Sequence, residues 1–194
     1  MGTPLLAVVL IALAVALPNG ITGDVYTLTR LAGLFGYQLI FLAVLSSAFV
    51  RPLIKAFGRP FVTLHHIVAI SGLSLIVLHP ILASSAWGDR SILLPRFESL
   101  QTFIQWGGSP ALLVLIIAVL AAGLRQQLKD AWQVVHGLTY VAFVLGTAHA
   151  ATAPFTTDLQ STWIRVVTWL LAAAALAVCL LRRTTLKPKR RTQR

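Results

Sequence analysis

Charged residues are scarce in this sequence. Asp, Glu, Lys and Arg make up only 11% of the 194 residues, and 57% are hydrophobic. A soluble domain usually has about a quarter charged residues, so the deficit excludes an ordinary soluble protein. Apolar runs longer than 18 residues can cross the hydrocarbon core of a membrane. The composition therefore predicts a multi-pass protein of the plasma or inner membrane, surrounded by membrane lipid.

Cysteine and acidic residues are also rare. With a single cysteine, Cys179, the chain can form no internal disulfide and has no CxxC or zinc-binding pattern. We interpret Cys179 as a small buried apolar residue. Five acidic residues against 16 basic ones give a formal net charge of +11. The basic residues cluster at helix ends and in the C-terminal tail, and no basic face alternates with aromatic residues. This pattern indicates membrane topology and no nucleic-acid partner.

Six apolar runs divide the chain. They cover residues 5–17, 31–50, 61–87, 111–124, 131–151 and 163–181. We predict an all-α bundle of six transmembrane helices over residues 1–181, followed by a basic tail over residues 182–194. A short basic loop beginning at Arg51-Pro52 separates the second and third runs. The first run could instead be a signal peptide cleaved near Ala14-Val15-Ala16, but residues 1–4 contain no basic residue, which favours its retention.

The positions of Lys and Arg predict the orientation. With six spans, twelve basic residues lie on the side of both termini: Arg51, Lys55, Arg59, Arg125, Lys129, Arg182, Arg183, Lys187, Lys189, Arg190, Arg191 and Arg194. The opposite side has four: Arg30, Arg90, Arg96 and Arg165. Because basic loops favour the cytoplasm, both termini are predicted to be cytoplasmic. The tail decides this, since it holds seven of the twelve.

All five histidines lie in the third and fifth runs: His65, His66 and His79 in the third, His136 and His149 in the fifth. Ionisable side chains inside a membrane are costly and usually functional. Both runs enter from the cytoplasm, so His65 and His66 share the depth of His136, near the start of each run. His79 follows His65 by fourteen residues and His149 follows His136 by thirteen, which is roughly 20 Å along a helix.

Helical phase favours His65 over His66 as the partner of His79. Fourteen residues rotate about 1400°, some 40° short of four turns, whereas thirteen rotate about 1300° and are roughly 140° out of phase. His136 and His149 are also thirteen residues apart, so a regular helix would place them on different faces. That pair requires a tilted helix, a local bulge, or cofactors offset around the helix.

Two imidazoles at each of two depths are the arrangement that axial ligation of haem iron requires. We therefore predict two b-type haems, stacked across the membrane. A lone intramembrane histidine is often only a hydrogen-bonded structural residue, but four at matched depths favour ligation. His66 is the alternative inner ligand, or a contact for a haem propionate. Three glycines would let a flat macrocycle approach a helix, or would serve ordinary helix contacts: Gly72, Gly137 and Gly146.

These residues resemble the ferric reductase-like transmembrane family, which includes eukaryotic ferric reductases and NADPH oxidases. The third run matches over residues 65–69 and His79, and the fifth over residues 132–140 and His149, each with the family's histidine spacing. The W-x3-H-x-L-x-Y form of the fifth run is also similar to the haem subunit of the bacterial methionine-sulfoxide reductase system. That subunit family lacks the paired histidines of the third run. The resemblance covers the second to sixth runs.

The resemblance implies an inner haem on His65 and His136 and an outer haem on His79 and His149. It further implies a membrane subunit of an oxidoreductase that passes electrons to an extracytoplasmic acceptor, such as ferric iron, dioxygen or a periplasmic redox partner. The large reductases continue into flavin- and NADPH-binding domains, but this sequence has no G-x-G-x-x-G motif. We expect no FAD or NADPH site in it, and a separate flavoprotein or a membrane quinol as the electron donor.

Two other functions are compatible with intramembrane histidines. One is a haem- or metal-handling transporter or chaperone, which would be expected to carry an exposed loop histidine that this sequence lacks. The other is an assembly subunit in which haem only stabilises the fold. Bis-histidine ligation leaves no open iron position, which favours electron transfer over substrate binding.

Haem stoichiometry in single variants tests the assignment of the inner ligand. We expect His65→Ala and His136→Ala to lose one haem, because each removes an axial ligand, and His66→Ala to keep both. Pyridine haemochrome analysis of purified protein gives the ratio of haem to chain. Loss of haem in His66→Ala but not in His65→Ala would overturn the assignment.

Overall fold

The computed structural model describes residues 20, 22–58, 60–106, 108–152 and 162–185. This part of the chain contains helices, turns and irregular segments but no β-strand. Its α-helices are α1 Val25–Ser46, α2 Val50–Phe57, α3 Phe61–Trp87, α4 Leu100–Gln105, α5 Gly108–Gly123, α6 Arg125–Leu128, α7 Ala131–His136, α8 Thr139–Thr152 and α9 Thr162–Thr185. A 3-10 turn, Arg90–Leu93, lies between α3 and α4. The predicted all-α class is confirmed for these residues.

Three helical segments are long and apolar enough to cross a membrane. They are α1, α3 and the segment Ala131–Thr152, which comprises α7 and α8. Two shorter apolar segments are Gly108–Gly123 and Arg165–Leu181. These five correspond to the second to sixth predicted runs. The first run, both termini and the tail beyond residue 185 lie outside the described residues, so the count of six spans and the orientation stay predictions.

The α3 helix matches its predicted run from Phe61 to Trp87. It continues through Pro80, whose ring nitrogen cannot donate to the carbonyl one turn earlier. Ile67, Ile70 and Ile81 on this helix are 51%, 61% and 50% exposed. Exposing this many large aliphatic side chains to water is unfavourable, whereas contact with lipid is not. The outer surface of α3 is therefore suited to the interior of a membrane.

The α1 helix begins at Val25, six residues before the predicted run. The carboxylate of Asp24 accepts a hydrogen bond of 2.7 Å from the backbone N–H of Thr27 and caps the helix. The hydroxyl of Thr29 donates to the carbonyl of Val25 at 2.7 Å. Thr27 and Thr29 are buried, at 2% and 1% exposure. Apolar runs do not reveal this turn, because threonine counts as polar even when its hydroxyl is satisfied by its own helix.

The predicted basic loop after the second run is mostly helical, and that expectation was wrong. Pro52 lies in the first turn of α2, where a missing N–H costs little. Gly58, with φ of +61°, ends the helix in the left-handed conformation that glycine adopts easily. At 100° per residue, the helix has a basic side, Arg51 and Lys55, and an apolar side: Val50, Leu53, Ile54 and Phe57.

The helices α1 and α3 pack antiparallel at close range. Near one end Gly33 of α1 contacts the ring of His79, and near the other end Ser46 lies 3.5 Å from the Nδ1 of His65. Between them, a Cβ atom added at Gly72 would come within 2.9 Å of the Leu39 Cβ and 3.1 Å of a backbone nitrogen. Gly72 therefore allows the two backbones to touch. Gly72 was predicted either to let a macrocycle approach or to serve an ordinary helix contact, and the structure shows the helix contact.

The α8 helix also runs antiparallel to α1. The hydroxyl of Tyr37 lies 2.9 Å from that of Thr147, while Ser47, near the other end of α1, lies 3.4 Å from the hydroxyl of Tyr140. Phe143, which is 2% exposed, stacks on Tyr37 with ring centroids 5.7 Å apart. Since α3 and α8 both oppose α1, they run in the same direction. Two histidine-bearing helices need this common direction to present their histidines at matched depths.

The α9 helix packs through Cys179 against a buried cluster that includes Val44 of α1 and Phe143 of α8. Its thiol is 2% exposed and lies 3.5 Å from the carbonyl of Val44 and 3.8 Å from the hydroxyl of Ser47. The interpretation of this cysteine as a small buried residue is confirmed.

Substituting Gly72 tests the close contact of α1 with α3. We expect Gly72→Ala to destabilise the detergent-solubilised protein by about 1–3 kcal/mol, because the added methyl group would press on backbone that cannot move independently. Thermal unfolding followed by circular dichroism measures the loss. Ser71→Ala, an exposed change on the same helix, is the matched control. Equal melting temperatures for the two variants would contradict the packing.

Candidate functional site

The inner level of the bundle brings His65 of α3 near His136 of α7. Their levels match on α1, because Ser46 lies 3.5 Å from the His65 Nδ1 while the adjacent Ser47 lies 3.4 Å from the hydroxyl of Tyr140, one turn after His136. Both imidazoles are half-buried. The ring of Phe61 stacks on His65 at 5.4 Å between centroids, and the ring of Trp132 lies 5.9 Å from that of His136. The inner pair is therefore flanked by an aromatic residue from each helix.

The outer level brings His79 of α3 near His149 of α8. These rings lie within electrostatic reach of each other. Their depths match on α1, because Gly33 contacts His79 while Tyr37, one turn further along, bonds Thr147, two residues before His149. Each level thus contains one histidine from each of two helices that run in the same direction.

Backbone carbonyl groups fix three of the four rings. The Nδ1 of His79 lies 2.9 Å from the Thr29 carbonyl, that of His136 3.0 Å from the Ala118 carbonyl, and that of His149 2.8 Å from the Gln105 carbonyl. A carbonyl oxygen can only accept, so each Nδ1 carries the proton. The Nε2 of each neutral ring is then left with its lone pair, which is the form that binds a metal.

His65 reaches the same tautomer by a weaker contact. Its Nδ1 lies 3.5 Å from the Ser46 hydroxyl, which itself donates to the Ala43 carbonyl at 2.7 Å. Because the hydroxyl proton is used in that bond, the oxygen can only accept from His65. The same Ala43 carbonyl also interacts with the ring. All four rings therefore present Nδ1 to an acceptor.

His66 is placed differently from His65. Its side chain is exposed, and its ring lies beside that of His65 with centroids 6.2 Å apart. The Nδ1 of His65, in contrast, lies 3.5 Å from the Ser46 hydroxyl on α1, and the His65 side chain is half-buried. This separation of the two side chains agrees with the helical phase, which sets them on different faces of α3.

The α7–α8 segment breaks at Gly137-Leu138, between its two histidines. The N–H of Leu138 donates to the Val135 carbonyl at 3.0 Å and that of Tyr140 to the Gly137 carbonyl at 3.1 Å, so both bonds span three residues. Such 3-10 turns rotate about 120° per residue instead of 100°. The extra rotation moves His136 and His149 toward a common face. The sequence left three alternatives: a tilted helix, a local bulge, or cofactors offset around the helix. The structure has a local irregularity at this place, but the helix is wound more tightly there and does not bulge.

Two glycines that sequence reasoning missed lie against the outer histidines. A Cβ atom at Gly33 would come within 2.9 Å of the His79 Nδ1, and one at Gly108 within 2.9 Å of the His149 Nε2. Each glycine lets a neighbouring helix approach an imidazole ring closely. Their place in the sequence, outside both histidine-bearing runs, gave no signal of this.

The other two glycines singled out from the sequence differ from each other. At Gly137 a Cβ atom would lie 3.0 Å from the carbonyl oxygen of Val134, so glycine there permits the tight turn of α7 into α8. At Gly146, three residues before His149, a Cβ atom would meet nothing within 4 Å. Gly146 is thus the one of the three predicted positions with open space beside it.

The described residues bring these histidines together as pairs. No group of three or more His, Cys, Asp or Glu side chains suited to a metal ion occurs among the residues that the structure describes. A bare zinc ion needs about four ligands. Two imidazoles suit a metal that brings its in-plane ligands with it, as haem iron does. The tautomers, the pairing and the apolar surroundings therefore fit the predicted b-type haems.

Comparison with known families identifies one that this chain matches. The model of the family described as ferric reductase like transmembrane component matches residues 31–147, which are 117 of the 194 residues. The match includes His65, His79 and His136 and ends two residues before His149. Searches of curated proteins and of solved structures gave no significant match.

Enlarging Gly108 tests whether the close approach of α5 holds His149. We expect Gly108→Ala to displace the ring, break its bond to the Gln105 carbonyl and weaken binding of the predicted outer haem by about 10- to 100-fold, the usual cost of losing a ligand's hydrogen-bond partner. Haem retention during gel filtration measures this. Gly123→Ala, on the same helix where a Cβ atom meets nothing within 4 Å, is the control. Equal retention would show that the ring does not depend on Gly108.

Proposed function

Because the chain belongs to the ferric reductase like transmembrane component family, we propose that it conducts electrons across the membrane through two bis-histidine b-type haems. His65 and His136 hold the inner haem, and His79 and His149 hold the outer haem. The donor is a separate flavoprotein or a membrane quinol on the cytoplasmic side. The acceptor is extracytoplasmic, with ferric iron, dioxygen or a redox protein as candidates.

The observation that carries the proposal is the common state of the four histidine rings. Each Nδ1 faces an oxygen acceptor, at 2.8–3.0 Å for three of them, and each Nε2 keeps its lone pair. Hydrogen bonding at Nδ1 orients a ligating imidazole and raises its basicity. Two such rings at one level would together hold a haem iron and leave it no position for a substrate, which would suit electron transfer better than substrate binding.

The chain's own residues hold these rings in place. Thr29, Ala118 and Gln105 accept from the rings through their backbone, so they do so whatever side chain they carry. The acceptors lie on three different helices, α1, α5 and α4. Each hydrogen bond restricts the rotation of the ring that donates it. A haem- or metal-handling protein would instead need histidines that exchange their ligand easily. Once bound, haem supplies a one-electron carrier that needs no movement of the protein.

The inner pair lies at the level where electrons are proposed to enter. Phe61 and Trp132 flank His65 and His136 there, and α2 leads directly into the start of α3. The exposed basic side chains of Arg51 and Lys55 belong to the same end of the bundle. An acidic surface on a soluble donor would be attracted to this end.

A reduced-minus-oxidised spectrum and a transfer assay test the proposal together. We expect b-type bands in purified protein. We also expect ferricyanide trapped inside vesicles that contain the protein to be reduced by external dithionite, which does not cross membranes. His149→Ala should lower the transfer rate to that of empty vesicles, since it removes an outer ligand.

His66→Ala is the matched control for this assay, because it removes an exposed histidine from α3 and leaves the four proposed ligands. It should transfer electrons like the unmodified protein. Absence of b-type bands after expression with ample haem would reject the proposal. So would equal transfer rates for His149→Ala and the unmodified protein.

A further inference from the structure

The hydrogen-bond acceptor of His149 comes from an unusual place. Thr29 and Ala118, the acceptors for His79 and His136, belong to the apolar helices α1 and α5, of 22 and 16 residues. The acceptor for His149 is the carbonyl of Gln105, the last residue of the six-residue helix α4. This short helix belongs to the segment between the α3 and α5 spans, residues 88–106. One histidine is thus positioned by a segment outside the spans.

Arg96 ties this segment together by three contacts on its guanidinium. It donates to the Ser91 hydroxyl at 2.7 Å, pairs with the Asp89 carboxylate at 3.5 Å, and lies over the ring of Trp106 at 4.3 Å from the centroid. An exposed ion pair alone stabilises little. A planar guanidinium that is stacked and bonded at once is held in one orientation.

The carboxylate end of this cluster is itself fixed. The Ser91 hydroxyl donates to Asp89 at 2.9 Å and the Ser91 N–H at 2.8 Å. Hydrogen bonds from that hydroxyl and that N–H, with the charge of Arg96 adding to them, lower the pKa of Asp89 below its usual value. The carboxylate therefore stays ionised at neutral pH and continues to hold Arg96.

Trp106 connects the cluster to the histidine, because it directly follows Gln105 in the chain. Its backbone N–H donates to the Thr102 carbonyl at 2.9 Å, which fixes it to the end of α4. The Cα atom of Trp106 adjoins the peptide group whose oxygen accepts from His149, so we expect the stacked ring to restrain that peptide group. The sequence of contacts runs from Arg96 through Trp106 and the Gln105 carbonyl to the His149 ring.

We propose that Arg96, stacked on Trp106, is a positioning residue for His149 and sets the strength of its Nδ1 hydrogen bond from outside the membrane spans. This inference rests on the proposed haem function. It makes the outer haem sensitive to the fold of the extracytoplasmic segment, whereas the acceptor of His136, at the inner level, comes from the span α5. A longer Nδ1 bond makes the imidazole a poorer electron donor, so the ferric state is less stabilised and the reduction potential of the outer haem rises.

Two variants test the proposal. Arg96→Lys keeps the positive charge near Asp89 but cannot stack or form the planar fork, and Trp106→Leu removes the stacking partner; neither changes the net charge. In spectroscopic redox titrations we expect each to raise the midpoint potential of the outer haem and leave the inner haem unchanged. The low-spin electron paramagnetic resonance signal of the outer haem should shift as well. The outer haem is identified as the one lost in His149→Ala.

Arg90→Lys is the matched control, because it makes the same exchange at an exposed arginine of the same segment. It should leave both potentials unchanged. Unchanged potentials in Arg96→Lys and Trp106→Leu would overturn the positioning role, and so would equal shifts of both haems or loss of both haems in these variants. The proposed function fails separately, by the absence of b-type haem in the unmodified protein.

Discussion

An imidazole has two ring nitrogens that form hydrogen bonds, and the hydrocarbon core of a membrane offers no water to satisfy either of them. The structure meets this demand with oxygen atoms from neighbouring helices, chiefly backbone carbonyls. The Thr29 carbonyl on α1 accepts from His79, and the Ala118 carbonyl on α5 accepts from His136. Each bond fixes one nitrogen as a donor and leaves the other with its lone pair. The relative positions of the helices are therefore tied to the chemistry of the histidines.

Hydrogen bonds between ring and carbonyl require helices to approach more closely than most side chains permit. Gly33 and Gly108 provide the space, since a Cβ atom at either position would come within 2.9 Å of a histidine ring nitrogen. Gly72 does the same for the backbones of α1 and α3. The close packing in turn holds the four rings at two levels, and of their acceptors Gln105 is the one on the short helix α4 between longer apolar helices. Rings fixed in this way would suit the proposed electron carrier, which must change oxidation state with little rearrangement.

The two levels differ in how they meet their surroundings. Aromatic rings of Phe61 and Trp132 flank the inner pair, and the basic helix α2 lies at the same end. The outer pair depends on a folded segment in which Arg96 links Asp89 to Trp106. The match to the ferric reductase like transmembrane component family includes His65, His79 and His136. The support of His149 by a segment between spans is a feature of this chain's own contacts.

The sequence by itself determined the membrane class, the α-helical content and the five histidines in two co-directional runs, because hydrophobic run length and helical rise are local properties. Rotation per residue, also a local property, was enough to separate His65 from His66. It could not locate the first turn of α1 or the helix α2, where threonine hydroxyls and a first-turn proline conceal helical structure. Only the tertiary structure revealed the carbonyl acceptors, Gly33, Gly108 and the tightened turn at Gly137. These depend on contacts between residues distant in sequence or on local backbone geometry, and neither leaves a periodic signal.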